Sequence, residues 1–247
     1  MKIIIKSNAA ELGREAGREA AKVIRMAISN HGSANIILAT GTSQFETLHQ
    51  LTQEEINWKQ VTMFHLDEYI GLPESSPASF RKYLKERFIR KTGGLKQVYL
   101  INGEAEPAFE CLRLNKIIQN KTIDVALLGI GENGHLGFND PPADFETEQS
   151  FIIVNLDEKC RRQQLGEGWF QSISDVPAQA ITMSVNQIMK SKCIICSVPD
   201  SRKAQAVKDC LEKPVSNLFP GSILQKHPDC TCFLDKSSSA LLEKSIK

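Results

Sequence analysis

Side chains able to do chemistry crowd into one stretch, Gly129-Ile130-Gly131-Glu132-Asn133-Gly134-His135-Leu136-Gly137-Phe138-Asn139-Asp140. It holds four glycines within nine residues, together with one imidazole, two carboxylates and two carboxamides. An imidazole exchanges a proton near neutrality more readily than any other side chain, and a neighbouring carboxylate, Asp140 or Glu132, would hold its tautomer. Glycine is favoured where the backbone needs positive φ or must approach a ligand closely, so this loop reads as a site built around His135. A glycine-rich turn with a surface histidine is the competing reading of this stretch alone.

Two further stretches carry complementary chemistry. Thr40-Gly41-Thr42-Ser43 follows an apolar run and opens a helical pattern, which offers an anion unpaired backbone N–H groups, hydroxyls and the positive end of a helix dipole. It lacks the spacing and lysine of a Walker loop, and a plain helix cap explains the same residues. Phe64-His65-Leu66-Asp67-Glu68-Tyr69 places two adjacent acids where another apolar run ends. In extended chain they face opposite sides, so one enters a pocket while the other caps or pairs elsewhere. A carboxylate among Phe64, Leu66 and Tyr69 is partly desolvated, which raises its pKa toward that of a useful general base.

These stretches need a scaffold, and the hydrophobic pattern supplies one. Strands are expected at Lys2–Ile5, Ile36–Ala39, Val61–Leu66, Val98–Ile101, Ile123–Leu128, Phe151–Val154, Cys193–Val198 and Thr231–Leu234. Helical periodicity runs over Ala9–Asn30, through Phe45, Leu48 and Leu51, and over Arg81–Arg90, Ala108–Gln119 and Ser201–Leu211. This alternation predicts an α/β fold, a Rossmann-like, mostly parallel sheet with helices on both faces, formed by residues 1–247 as a single domain. Ligands of such sheets bind at the carboxyl ends of the strands, where Ser43, Asp67 and His135 all fall. The stretch from Pro141 to Phe170 reads as irregular and is a lid candidate.

Composition narrows the function. A net charge of +1, with 24% charged residues and no basic block, gives a phosphate backbone nothing to grip, so nucleic acid is not the expected partner. No run is long enough for a membrane span or a signal peptide, so a cytoplasmic protein is expected. Seven cysteines scattered through 247 residues suit a reducing compartment better than a disulfide framework. Cys193 and Cys196 match CxxC within a strand, where residues three apart point to opposite faces; buried thiols are expected there, not a metal site.

The three stretches, Leu38-Ala39-Thr40-Gly41-Thr42-Ser43, Leu66-Asp67-Glu68-Tyr69-Ile70-Gly71-Leu72 and Gly129 through Pro141, resemble in order and content the glucosamine-6-phosphate deaminases. The likeness continues through Val176–Met183, Arg202-Lys203-Ala204 and Pro220–Pro228, and so covers nearly the whole chain. It implies conversion of glucosamine 6-phosphate and water into fructose 6-phosphate and ammonia, with no cofactor and no metal. By this resemblance His135 assists ring opening, and Asp67 moves the proton between C2 and C1 of the open-chain sugar. Asn133 and Asp140 belong to the histidine's catalytic set, while Gly41, Thr42, Ser43, Gly134 and Lys203 bind substrate. The implied partner is a small amino-sugar phosphate, with a homo-oligomer left open. Galactosamine-6-phosphate deaminase, 6-phosphogluconolactonase and a non-catalytic sugar-phosphate sensor are the alternatives.

The chain departs from the family pattern at several places. Asn133 stands where aspartate is common and Asp140 where glutamate is, so support for a protonated imidazole falls to Asp140. Gln44 replaces a proline of the cradle. Gly168 precedes Trp169-Phe170 where the family places a phosphate-binding arginine, which makes Arg161, or Arg162, the expected substitute unless both are solvated surface charge. Phe145–Ile153 carries two glutamates and no basic cluster, so hyperbolic kinetics without activation by N-acetylglucosamine 6-phosphate are expected; a sigmoidal substrate curve abolished by that compound would refute this.

Overall fold

The computed structural model describes residues 1–243. Seven parallel strands form the central sheet: β1 (Lys2–Lys6), β2 (Ala34–Leu38), β3 (Val61–His65), β5 (Gln97–Tyr99), β6 (Val125–Leu128), β9 (Cys193–Val198) and β10 (Cys230–Asp235), in the order β1-β10-β9-β6-β2-β3-β5. Three short strands, β4 (Asp67–Tyr69), β7 (Phe151–Asn155) and β8 (Gln179–Met183), make a separate antiparallel sheet in the order β4-β8-β7. The helices are α1 (Ala9–His31), α2 (Phe45–Gln53), α3 (Phe80–Arg87), α4 (Pro107–Ile118), α5 (Glu158–Gly166), α6 (Val185–Met189) and α7 (Ala204–Glu212).

The central strands are apolar on both sides because both sides are covered. Ile36, Leu38, Val125, Leu127 and Ile195 pack with Leu12, Ala16, Ile24, Leu48 and Tyr83 of α1, α2 and α3. The residues between them, Ile37, Ala126, Leu128 and Ile194, pack with Leu114 of α4, Ile188 of α6 and Val207 of α7. Cys193 belongs to the first layer and Cys196 to the second, and all seven cysteines are buried and free. The longest helix begins where the Asn8 side chain accepts from Glu11 N at 2.9 Å and ends at Gly32, with φ at 74°. It lies close against α2: a Cβ added at Gly13 would stand 2.2 Å from Glu46 Cβ.

Two expectations are corrected. The Phe151–Val154 strand belongs to the small antiparallel sheet, paired with β8 through Ile153 opposite Ile181, and not to the parallel one. Phe151 is buried and the residues after it alternate between half-buried and exposed, a pattern that does not distinguish the two sheets. Residues 141–170 are not irregular: they include β7 and α5, a helix whose sequence is so polar that periodicity does not reveal it. No helix among the described residues is long and apolar enough to cross a membrane.

Candidate active site

Four chain segments leave the same rim of the parallel sheet. The chain enters at β1, crosses to β2 and β3, and returns to β6 on the other side of β2, so β2 and β6 border the point where strand order reverses. Loops that diverge at such a point open a crevice at the carboxyl ends of the strands. Gly41 and Ser43 follow β2, Asp67 follows β3, His135 follows β6 and Lys203 follows β9; all five line one cavity of about 60 Å³. That volume holds a few waters, and the cavity opens to solvent.

The two adjacent acids diverge as extended geometry requires. Glu68 turns to the far side, where its carboxylate accepts from Ser79 Oγ (3.0 Å), Phe80 N (3.2 Å), Arg81 N (2.8 Å) and Arg81 Nε (3.2 Å). It holds the start of α3 in place and is fully buried. Asp67 turns into the cavity among Leu66, Phe80 and Phe138, with Oδ1 buried and without a hydrogen-bond partner among the described residues. Burial, and secondarily the charge of Glu68, push its carboxyl up to about 8. A carboxylate so little solvated is a strong base for its class.

The histidine loop is a tight turn. Gly134 N donates to Gly131 O at 3.0 Å and Gly131 N to His135 O at 3.0 Å, which folds the imidazole back over Gly131. A Cβ on Gly131 would sit 2.1 Å from His135 Nε2, so only glycine permits this ring position. His135 Nδ1 lies 3.1 Å from Asp140 Oδ1 in an off-axis contact. Asn133 bridges the carboxylates behind the ring: its Nδ2 donates to Asp140 Oδ1 (3.0 Å) and Asp157 Oδ2 (3.2 Å), while its Oδ1 accepts from His135 N (3.1 Å). Burial pushes the Asp140 carboxyl up, but the contacts from His135, Asn133 and Asp157 N outweigh it and leave the pKa below the ordinary value. Asp140 thus stays charged beside the imidazole. Glu132 does not serve the ring and instead pairs with Arg202 at 3.7 Å.

The anion cradle begins at Gly41, with φ at 89°, and continues through a single 3₁₀ turn at Thr42–Gln44 into α2. Gln44 is buried and donates through Nε2 to Ser43 Oγ (3.1 Å) and Ser197 O (3.4 Å), tying the cradle to β9. Lys203 is buried at the cradle with no carboxylate within ion-pair distance among the described residues; burial lowers its pKa. Thr42 contributes its backbone N–H from the rim.

Two expected ligand-binding residues lie elsewhere. Gly134, with φ at 88°, is a turn residue facing Cys210 and Pro220, and its carbonyl accepts from Gly221 N at 2.7 Å. The guanidinium of Arg161 donates to the carbonyls of Ile173 (2.7 Å) and Val176 (2.8 and 3.2 Å), so it staples α5 to the following loop and is not part of the cradle. Arg162 pairs with Glu158 on the exposed face of α5.

Helix α5 supplies what sequence reasoning missed. Its capping residue Asp157 donates N to Asp140 Oδ2 at 3.0 Å, Gln163 Oε1 accepts from Glu132 N at 2.8 Å, and Gln164 Oε1 accepts from Tyr69 Oη at 2.8 Å. Gln163, Gln164 and Glu167 all line the cavity. The signal available was a glutamine pair ahead of Gly166-Glu167-Gly168, without any apolar stripe to explain a helix. His135, Asp140 and Cys160 bring possible metal-ligand atoms within 4.8 Å of one another. Burial and the carboxylates of Asp140 and Asp157 raise the Cys160 pKa, which keeps the sulfur a thiol and a poor ligand. A larger groove of about 940 Å³ beyond Phe138–Asp140 carries Asp140, Asp144 and Asp157 and no lysine or arginine, so it offers a phosphate no cationic partner.

Residues 7–232 match the family described as glucosamine-6-phosphate isomerases/6-phosphogluconolactonase. The chain belongs to this family. A glucosamine-6-phosphate deaminase of Lactobacillus delbrueckii subsp. bulgaricus is 34% identical over 246 residues, covering 98% of this chain and 100% of the relative. One of Oenococcus oeni is 37% identical over 231 residues, covering 93% and 95%. Among solved structures, a monomeric glucosamine-6-phosphate deaminase superposes with a TM-score of 0.88 at 33% identity, covering 98% of this chain and all of the other. A putative 6-phosphogluconolactonase of Neisseria gonorrhoeae shares the fold, with a TM-score of 0.77 at 18% identity, covering 95% and 99%.

Proposed function

We propose that this chain is a glucosamine-6-phosphate deaminase, converting glucosamine 6-phosphate and water into fructose 6-phosphate and ammonia without a cofactor. The observation that carries the reading is the meeting of Asp67, His135 and the Gly41–Ser43/Lys203 cradle in one cavity. Each has work to do in this reaction. The cradle holds the phosphate and thereby places the far end of the sugar against the proton-transfer groups. The imidazole of His135, steadied by the Asp140 carboxylate, exchanges the proton of the anomeric hydroxyl and ring oxygen as the pyranose opens. Asp67, made basic by burial, takes the proton from C2 and returns it to C1; water then replaces ammonia at C2.

Family membership and near-complete coverage by deaminase relatives support this activity over lactone hydrolysis, since the 6-phosphogluconolactonase likeness extends to the fold alone. The substrate is a small sugar phosphate, and Asp67 in its buried setting argues for catalysis over sensing, because binding alone needs no base of this strength.

Ammonia release from glucosamine 6-phosphate and galactosamine 6-phosphate, and acid release from 6-phosphogluconolactone, measured with purified protein beside an Asp67→Asn variant, test the reading. Release from the glucosamine epimer by the parent alone is expected. Equal release by both proteins would remove Asp67 from its role, and release only from the other epimer would reassign the substrate.

A further inference from the structure

The cradle already contains an anion. Glu167 follows the last residue of α5, and its carboxylate reaches the cradle: Oε2 lies 3.5 Å from Thr42 N and would lie 3.7 Å from a Cβ built on Gly41. Lys203 answers to it electrostatically. Burial depresses the ammonium, and Glu167 is the largest of the charges that oppose this. Glu167 therefore stands where a phosphate would take the same backbone N–H, near enough to the buried ammonium to influence it but outside ion-pair distance.

The carboxylate is held on its other side as well. Gln163 Nε2 donates to Glu167 Oε1 at 3.1 Å while Gln163 Oε1 accepts from Glu132 N at 2.8 Å. One amide thus joins the occupant of the cradle to the loop that carries His135. Glycines flank the residue, Gly166 and Gly168, the latter with φ at 83°, so the chain there is free to turn outward. Glu167 lines the same cavity of about 60 Å³ as Gly41, Ser43 and Lys203, and so takes up part of the space in front of the cradle.

We propose that Glu167 is an internal occupant of the phosphate cradle that the substrate's phosphate must expel, with Gln163 carrying that displacement to the His135 loop. Two anions this close in a poorly solvated site repel strongly, so carboxylate and phosphate exclude each other. An uncharged end of a sugar gains nothing from Lys203 in exchange for the carboxylate and leaves Glu167 in place. The residue thereby makes the site demand a phosphate. This assignment rests on the reading of the cradle as a phosphate site.

Calorimetric titration of the full-length protein with inorganic phosphate tests it. A competitor that holds the cradle about nine-tenths of the time weakens apparent affinity about tenfold, so Glu167→Gln is expected to bind phosphate about tenfold more tightly than the parent. Glu167→Asp, which withdraws the carboxylate by one methylene, should fall between and serves if the glutamine variant does not fold. Lys203→Met should abolish binding. Hydrogen exchange at Glu132 N should quicken on adding phosphate to the parent but not to Gln163→Leu. Unchanged or weaker phosphate binding in both Glu167 variants, binding that survives Lys203→Met, or exchange insensitive to phosphate would each overturn the proposal. Because phosphate binding is read without turnover, a protein that releases no ammonia yet shows the tightening would sink the deaminase reading and leave this one standing.

Discussion

Replacing Asp67 by asparagine should separate the energetic burden of the catalytic acid from its use. The parent carboxyl is raised from 3.8 to about 8 by burial first and Glu68 second, and the residue is only 5% exposed, so solvent screens little of the effect. Between those limits the folded protein keeps the proton while the unfolded chain gives it up, so stability falls as pH rises, by about 1.4 kcal/mol per pH unit for one group. The contribution is whole below about pH 4, shrinks through the window and is gone above about pH 8, a total on the order of 6 kcal/mol. Asparagine has nearly the same shape and does not titrate. Urea unfolding of both proteins from pH 5 to pH 8 should therefore show Asp67→Asn gaining on the parent by up to about 4 kcal/mol. Other groups largely cancel in the difference, including His65, which burial and Arg81 hold down near 3. Over the same window kcat/KM of the parent should rise toward pH 8 as the base ionises, while the variant stays inactive. A stability gap that does not change with pH would refute the buried-base argument, whatever the activity of the variant.

Three further substitutions probe the positioning groups. Gly131→Ala places a Cβ 2.1 Å from His135 Nε2 and must evict the ring, so kcat should drop about a hundredfold with the thermal melt little changed; a normal kcat would disprove the ring position. Glu68→Gln removes the buried charge that faces Arg81 and caps α3, and should destabilise the protein by about 3–5 kcal/mol in denaturant titrations, against under about 1 kcal/mol if the carboxylate is dispensable. Asn133→Asp exchanges the donor to Asp140 and Asp157 for a third carboxylate. Like charge raises an acid's pKa, so the Asp140 carboxyl should titrate at higher pH by NMR, and an unmoved titration would contradict the bridging role.

The parallel α/β architecture and the rim on which chemistry sits were legible because both follow from local pattern. Strands such as Ile36–Ala39 and Cys193–Val198 are apolar on both sides, and a strand of that kind needs helices over each face. The opposed directions of Asp67 and Glu68 followed from the two-residue repeat of extended chain, and Gly41 and the glycines around His135 marked where backbone bends sharply. The strand of Phe151–Asn155 was visible as a strand, but its partner was not: pairing with β8 joins residues far apart in the chain, and its alternation fits either sheet.

Helix α5 lay beyond sequence reasoning for a related reason. Its inward face presents Gln163 and Gln164 in place of leucines, so the pattern that announces a buried helix is absent, and those amides find Glu132 and Tyr69 across the fold and Glu167 one turn on. Arg161 misled because a guanidinium near a site suggests an anion, whereas its donors had already found the carbonyls of Ile173 and Val176. Residue type and spacing determined which elements form and which groups can transfer protons. Only the folded chain decided which of those groups share a cavity, because burial, charge and hydrogen-bond partners are properties of neighbours that the order of residues does not specify.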